Sequence, residues 1–271
     1  MIDIQHLTLK VPHKILLEDF STSIYSSEKI GIFGPNGAGK STFLKGLMGL
    51  FPCASGTILF DNHPINKKHC KIAYLPQDWD PLSVDYSVMG FMELSLRGNH
   101  WGIPWSSKKD RIRCENALKQ VDALSLKNKL IKKLSGGERK RILLATLLLD
   151  SPEVVLLDEP LANLDPRYQN ELLSLIESLQ KEYRFTLFIT AHDFNPLLYL
   201  LDRVMFIGQG KAILDQPEKV IQSHVLSELY QTPLEVIEWN NRRWVLSNEQ
   251  EVFLHPGEHC HGIHCAEDVR S

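Results

Sequence analysis

The chain alternates short apolar runs with longer stretches of helical periodicity. Ile2, Ile4, Leu7 and Leu9 alternate with polar residues and then slip phase, which predicts an edge strand with a break in it. KIGIF (29–33) is a short apolar strand running into Gly34, and STFLKGLMGL, after a glycine-rich loop, reads as a helix. GTILF (56–60) and KIAYLP (71–76) read as further strands. Residues from about 83 to 133 read as mostly helical, with a polar and aromatic interruption, RGNHWGIPW, at 97–105. VVLLD (154–158) is apolar up to its last residue, as in a strand buried on both faces. PRYQNELLSLIESLQKEY is an amphipathic helix, and RFTLFIT (184–190) and RVMFIG (203–208) are strands. No internal repeat is visible. Apolar strands alternating with helices predict a mostly parallel α/β sheet. After about 224 the pattern changes: LEVIEW-NN-RRWVL predicts a hairpin turning at Asn240–Asn241, and 255–271 is expected to be loosely ordered.

Composition narrows the class. Apolar residues make up 43% and charged residues 23%, an ordinary globular balance. The net charge of −3 supplies no overall positive field to gather nucleic acid. MIDIQHLTLK lacks a basic segment followed by an apolar run, so no signal peptide is expected. The longest apolar runs, such as LLATLLL (143–149), fall far short of the roughly 20 residues needed to cross a bilayer. The expectation is a cytosolic protein that docks on a membrane without entering it. Five cysteines do not make a disulfide framework, and Cys53, Cys70 and Cys114 are scattered and expected to be reduced.

The loop between the first apolar strand and its helix is GPNGAGKST: Gly34, Pro35, Asn36, Gly37, Ala38, Gly39, Lys40, Ser41 and Thr42. It matches G-x-x-x-x-G-K-[ST] in the strand–loop–helix context that this phosphate-binding pattern requires. Glycines let the backbone pass close to phosphate so that N–H groups point inward, and the helix adds the positive end of its dipole. Lys40 supplies a charge for the β- and γ-phosphates, Ser41 a ligand for Mg²⁺, and Thr42 a further hydroxyl.

Other segments fit the same chemistry. A carboxylate ending a buried strand, as in VVLLDEP (154–160), needs a cation partner, and Mg²⁺ on the phosphates gives Asp158 one. Glu159, pointing the other way if the strand continues, can polarise an attacking water as general base. His192 in ITAHDF can reach the γ-phosphate or that water, although a lone histidine is more often structural. Gln77 in YLPQDW can touch Mg²⁺ or water. LSGGERKR puts Leu134, Ser135, Gly136, Gly137 and Glu138 at the start of a helix, which is a second anion-binding terminus. A plain capping box, Ser135 with Glu138, is the bland reading and is compatible with the functional one.

GPNGAGKST, Gln77, LSGGE, LLDEP, Asp165 in LANLD and His192 occur in one order. Together they resemble the nucleotide-binding subunit of an ABC transporter over roughly 1–225. The resemblance implies a P-loop NTPase (RecA-like) core with a mostly parallel sheet, an antiparallel β subdomain and an inserted α-helical subdomain at about 83–133. Residues 226–271 form a C-terminal extension with a His/Cys-rich tail. The resemblance also implies a head-to-tail homodimer in which ATP sits between the loop of one subunit and LSGGE of the other. That accounts for two phosphate surfaces on one chain. The implied roles are Lys40, Ser41 and Asp158 on phosphates and Mg²⁺, Glu159 as base, His192 as switch, Asp165 across the dimer, and Gln77 as the link to the helical segment that grips a permease. The family usually stacks an aromatic on adenine about 29 residues before the lysine; here the region reads KVPHK, leaving Val11 or His13 for that place.

The stretch QDWDPLSVDYSVMGF (77–91) resembles ATPases of zinc, manganese and iron importers, and VLSELYQTPLEVIE (225–238) resembles a tail they share with iron-chelate and cobalamin importers. HPGEHCHGIHC (255–265) carries His255, His259, Cys260, His261, His264 and Cys265, ligand types that suit Zn²⁺, in a spacing that matches no closed zinc module. A solvated tail without metal is the competing reading. The expectation is therefore the ATPase of an importer, for zinc or manganese, at the cytoplasmic face of the inner membrane. Its expected partners are integral-membrane permeases and a periplasmic or surface substrate-binding protein. The rivals are the ATPase of an iron-chelate or cobalamin importer, an ABC ATPase acting on DNA or ribosomes, and a metal-sensing regulator. The second of these usually carries long coiled coils or two fused ATPase halves, which this chain lacks.

Overall fold

A computed structural model describes residues 1–64, 70–77, 85–97, 107–191, 193, 195–230, 232–239 and 242–247. The first half of the chain forms β1 (Ile2–Val11), β2 (Lys14–Ile24), β3 (Lys29–Phe33), α1 (Lys40–Leu47), β4 (Ser55–Phe60), β5 (His63–Pro64), β6 (Ile72–Leu75), α2 (Val88–Arg97) and α3 (Lys108–Gln120). The second half forms α4 (Gly136–Leu148), β7 (Val154–Leu157), α5 (Pro166–Tyr183), β8 (Thr186–Thr190), β9 (Arg203–Gly208), β10 (Lys211–Asp215), α6 (Pro217–Val220), α7 (Ser223–Tyr230), β11 (Leu234–Trp239) and β12 (Arg242–Ser247).

The phase slip in the first strand is real. His6 has φ 51°, and pairing against β2 jumps from Ile4↔Thr22 to Leu7↔Phe20. A bulge of this kind moves Leu7 and Leu9 back onto the buried face. The strand is not at an edge, however. The antiparallel sheet runs β2-β1-β4-β5, so β1 is paired on both sides. Side-chain alternation reports which face is buried and says nothing about how many neighbours a strand has.

The larger sheet runs β10-β9-β3-β8-β7-β6. It is parallel except for the β10–β9 pair. Its central strands β9, β3, β8 and β7 bury both faces, and the period of two sorts their side chains between two cores. Val155, Leu157, Leu187, Ile189, Val204 and Phe206 face the helices α2 to α5. Ile30, Ile32, Val154, Leu156, Phe188, Met205 and Ile207 face the antiparallel sheet, with Phe43, Leu44 and Leu47 of α1 between. That is why these strands read as unbroken apolar runs. Cys70 and Cys114 are buried, and burial above all pushes their thiols up to about 12 and about 11.

Helix starts follow local chemistry. Ser107 and Asp110 form a capping box for α3, and Ser135 and Glu138 form one for α4. Asp165 caps α5 ahead of Pro166, and Arg184 ends that helix at φ 53°. The described residues from 88 to 133 are mostly helical, as expected, with short 3₁₀ turns at Leu124–Leu126 and Ile131–Lys133. β11 and β12 pair antiparallel as expected, with Trp239 opposite Arg242. Residues 98–105 of the interruption, the turn at Asn240–Asn241 and the tail residues His255, His259, Cys260, His261, His264 and Cys265 lie outside the described residues. Among the described residues, no helix is long and apolar enough to cross a membrane.

Candidate functional site

The site is assembled by strand register. Ile32 of β3 pairs with Thr190 of β8, Ile189 with Leu157 of β7, and Leu157 with Leu75 of β6. The four strands therefore end level. The segments leaving their carboxyl ends collect at one rim: the loop 34–39, Asp158 and Glu159, and Gln77. Crevices beyond the carboxyl ends of parallel strands are where open α/β sheets take ligands.

The loop is tightly determined. Gly34 has φ 147°, and a Cβ there would lie 2.0 Å from the carbonyl oxygen of Ile207. Gly39 has φ 109° at the entry to α1, with Leu16 pressed against it. Lys40 is only 6% exposed, and its Nζ donates to the carbonyls of Gly34 (2.8 Å) and Pro35 (3.3 Å). Burial lowers its pKa, and the charges of Glu159 and Asp158 oppose that shift. A cleft of about 580 Å³ lies over the loop. It is lined by Asn36, Gly37, Ala38, Gly39, Lys40, Ser41, Thr42, Gln77 and Glu159, together with Val11, Lys14 and Leu16. Val11 borders this cleft; His13, at φ 67° in the β1–β2 turn, is not among its lining residues. Lys14, which its sequence context gave no reason to single out, donates from Nζ to the carbonyl of Gly37 at 3.0 Å.

The two carboxylates are held by residues to which the sequence reading gave no role, although Tyr74 opens YLPQDW and Thr190 lies in ITAHDF. Asp158 is 2% and Glu159 6% exposed. Thr190 Oγ1 donates to Asp158 Oδ1 (2.7 Å) and accepts from the Glu159 backbone N–H (2.9 Å). Tyr74 donates its hydroxyl to Asp158 Oδ2 at 3.2 Å. Burial first, then the charge and hydrogen bond of Asp158, push the Tyr74 pKa up and keep the phenol protonated. The strand does not continue to Glu159, which turns to φ 50° instead of following the strand alternation. Such a left-handed conformation in a non-glycine residue costs about 1 kcal/mol or more. Gln77 Nε2 donates to Glu159 Oε2 at 2.8 Å, so its amide nitrogen is aimed at the carboxylate. Thr190 and Tyr74 have no spacing signal of their own. Only the pairing of β6, β7 and β8 makes them neighbours of Asp158.

The donor set suits Mg²⁺. Ser41 and Asp158 offer oxygens, and among the described residues no cluster of three or more His, Cys, Asp or Glu could cage a metal alone. Mg²⁺ typically takes one or two protein ligands plus phosphate oxygens and water. None of Leu134, Ser135, Gly136, Gly137 or Glu138 lines this cleft, nor does Asp165. At the start of α4, Ser135 Oγ accepts from the Glu138 N–H (3.2 Å) and Glu138 Oε2 accepts from the Ser135 N–H (2.8 Å). Lys129 pairs with Glu138 at 2.8 Å. That hydrogen bond foremost, then the one from Ser135, holds the Glu138 carboxyl below its usual range. Asp165 Oδ1 accepts from the N–H groups of Arg167 and Tyr168, each at 3.1 Å. His192 lies outside the described residues.

A phosphate-loop ATPase fold with a capped LSGGE helix defines the class, and comparison with known proteins agrees. The family model described as "ABC transporter" matches residues 17–162, and the chain belongs to that family as an ATP-binding subunit with ATPase activity. The manganese transport system ATP-binding protein MntB of Listeria innocua is 32% identical, over 77% of this chain and 87% of its own length. The zinc import ATP-binding protein ZnuC 1 of Hahella chejuensis is 31% identical, over 86% and 84% respectively. The energy-coupling factor transporter ATP-binding protein EcfA2 of Clostridium perfringens is 33% identical, over 76% and 73%. In structure, the dimeric bacterial ABC transporter cassette MJ0796 aligns over 80% of this chain and 98% of its own, with TM-score 0.66 and 25% identity.

Proposed function

We propose that this subunit energises import of a divalent transition metal, zinc or manganese. The observation that carries the reading is that two relatives covering most of the chain are named for manganese and zinc transport. The His- and Cys-bearing segment 255–265 supports the same cargo chemistry. The relative named for an energy-coupling factor transporter favours a second reading, the ATPase of a transporter for another small solute. Deleting the gene tests the choice. Growth should fail on metal-depleted medium and return with micromolar zinc or manganese; unchanged growth, or rescue only by a ferric chelate or cobalamin, sinks the metal assignment.

Within the site we assign the phosphates to the loop and Lys40, with Thr42 adding a hydroxyl. Ser41, Asp158 and the carbonyl end of Gln77 would hold Mg²⁺, which when bound neutralises phosphate charge. Glu159 orients and deprotonates the attacking water, with His192 beside the γ-phosphate. Val11 and Leu16 offer an aliphatic wall to the base. Two copies assemble head to tail, so that Ser135, Gly136 and Gly137 of one face the nucleotide of the other and Asp165 lies across the junction. Residues 1–225 are the ATPase unit and 226–271 an extension. The pair docks on permease subunits at the cytoplasmic face of the inner membrane, and a substrate-binding protein delivers the metal. Glu159→Gln tests the catalytic assignment: turnover should fall by about a hundredfold or more, while ATP binding survives and an ATP-bound dimer accumulates. Near-normal hydrolysis removes Glu159 from the role.

A further inference from the structure

The two glycines of LSGGE have different surroundings. A Cβ built on Gly136 meets nothing within 4 Å. A Cβ built on Gly137 meets the Tyr168 ring, 3.1 Å from Cδ1 and 3.4 Å from Cε1. Tyr168 lies in the first turn of α5, and its backbone N–H donates to Oδ1 of the cap residue Asp165 at 3.1 Å. One aromatic ring therefore ties the start of α4 to the start of α5. Beside it, Glu171 of α5 accepts from Arg141 Nη2 of α4 and from Arg167 Nε, both at 3.2 Å. These ion pairs are partly or largely exposed. Exposed pairs of this kind contribute little to stability. Tyr168 is 47% exposed and its ring covers the junction from outside, with Leu164 and Leu172 buried next to it.

We propose that Tyr168 is a positioning residue for ATP hydrolysis: its ring, seated on Gly137, fixes the LSGGE helix start relative to the Asp165 turn, so that both reach the partner's nucleotide in register. This rests on the composite-site reading given above. Gly136 keeps an open face toward the partner, and Gly137 is small so that Tyr168 can approach. Tyr168 touches no reacting atom. Its effect comes through geometry, and misplacing groups by about 1 Å costs on the order of a hundredfold in rate.

The test uses the full chain, with Mg-ATP as ligand. In a Glu159→Gln background, Tyr168→Ala should weaken ATP-dependent dimerisation by about tenfold or more, and Tyr168→Phe should leave it close to the parent. In the Glu159 protein, kcat should fall for Tyr168→Ala, while ATP affinity measured on the isolated monomer stays the same. Gly137→Ala should also lose dimerisation, because its Cβ displaces the ring. Its loss should not add to that of Tyr168→Ala when the two are combined, since non-additivity marks a shared contact. Thermal unfolding of each variant separates this from simple loss of fold; a variant that unfolds is replaced by Tyr168→Leu, which fills space without the ring. Additive losses, unchanged dimerisation in Tyr168→Ala, or equal loss in Tyr168→Phe would overturn the proposal. A Glu159→Gln protein that never dimerises with ATP would overturn the composite site itself, a separate and recognisable result.

Discussion

Thr190 is a small residue with a large share in the site. It is fully buried, and its hydroxyl makes two bonds at once, donating to Asp158 and accepting from the Glu159 backbone. Thr190→Val keeps the shape and removes both. The Glu159 N–H and the Asp158 carboxylate then lose buried partners, at about 1–3 kcal/mol for an unsatisfied group. Denaturant unfolding should show a loss of that size. Turnover should fall as well, because Glu159 is held in a left-handed turn that this bond supports. Wild-type stability in Thr190→Val would mean the two carboxylates are anchored elsewhere. Tyr74 holds the other Asp158 oxygen. Both hydroxyls act on residues that the sequence had already marked, and neither was visible beside them.

Among elements, the start of α4 carries two tasks on the same atoms. Ser135 and Glu138 close a capping box, which serves the helix, and the same terminus is the proposed anion surface. A substitution can separate the two. Ser135→Ala removes the cap and should cost about 1 kcal/mol of stability. Ser135→Arg costs the same cap and also places a bulky cation where the partner's γ-phosphate would sit. It should abolish ATP-dependent dimerisation in a Glu159→Gln background, whereas monomer ATP binding persists. Sedimentation of the two variants with and without ATP makes the comparison; equal dimerisation would remove the partner-phosphate role from this helix. Acid acts on the same cap. The Glu138 carboxyl is held below its usual range, so its contribution is present above the ordinary carboxylate pKa and is lost as pH falls through the lowered value.

At the scale of the whole molecule, the proposed ATPase core and the proposed C-terminal extension can be tested apart. The lining of the cleft comes from residues 11 to 159, and the His/Cys segment starts at His255. Truncation after Leu254 should leave basal ATPase activity unchanged and remove any Zn²⁺ sensitivity. Zn²⁺ titration of full-length and truncated chains measures it. Affinity in the full chain should also fall as pH drops through about 6.5, where imidazoles become protonated and stop binding metal. Equal Zn²⁺ binding by both chains would show the tail to be only a solvated end.

The sequence by itself determined the elements whose chemistry is local. The glycine loop, its lysine, the LSGGE cap and the apolar strands are all written in adjacent residues, because turns, caps and burial on both faces each impose a short-range pattern. It also placed Gln77, Asp158 and Glu159 among the site residues, and the structure brings all three to one rim with the loop. The strand β2 and the edge strand β10 were not read from sequence; β2, KILLEDFSTSI, mixes polar residues into both faces and has no clean alternation. Tertiary structure alone decided the pairing. It put β1 inside its sheet and sent β4 and β6 to different sheets. It set Thr190 and Tyr74 against Asp158, turned Glu159 out of the strand, and seated Tyr168 on Gly137. Those contacts join residues that are distant in sequence, and strand order and register, which no local pattern encodes, are what bring them within a few ångströms.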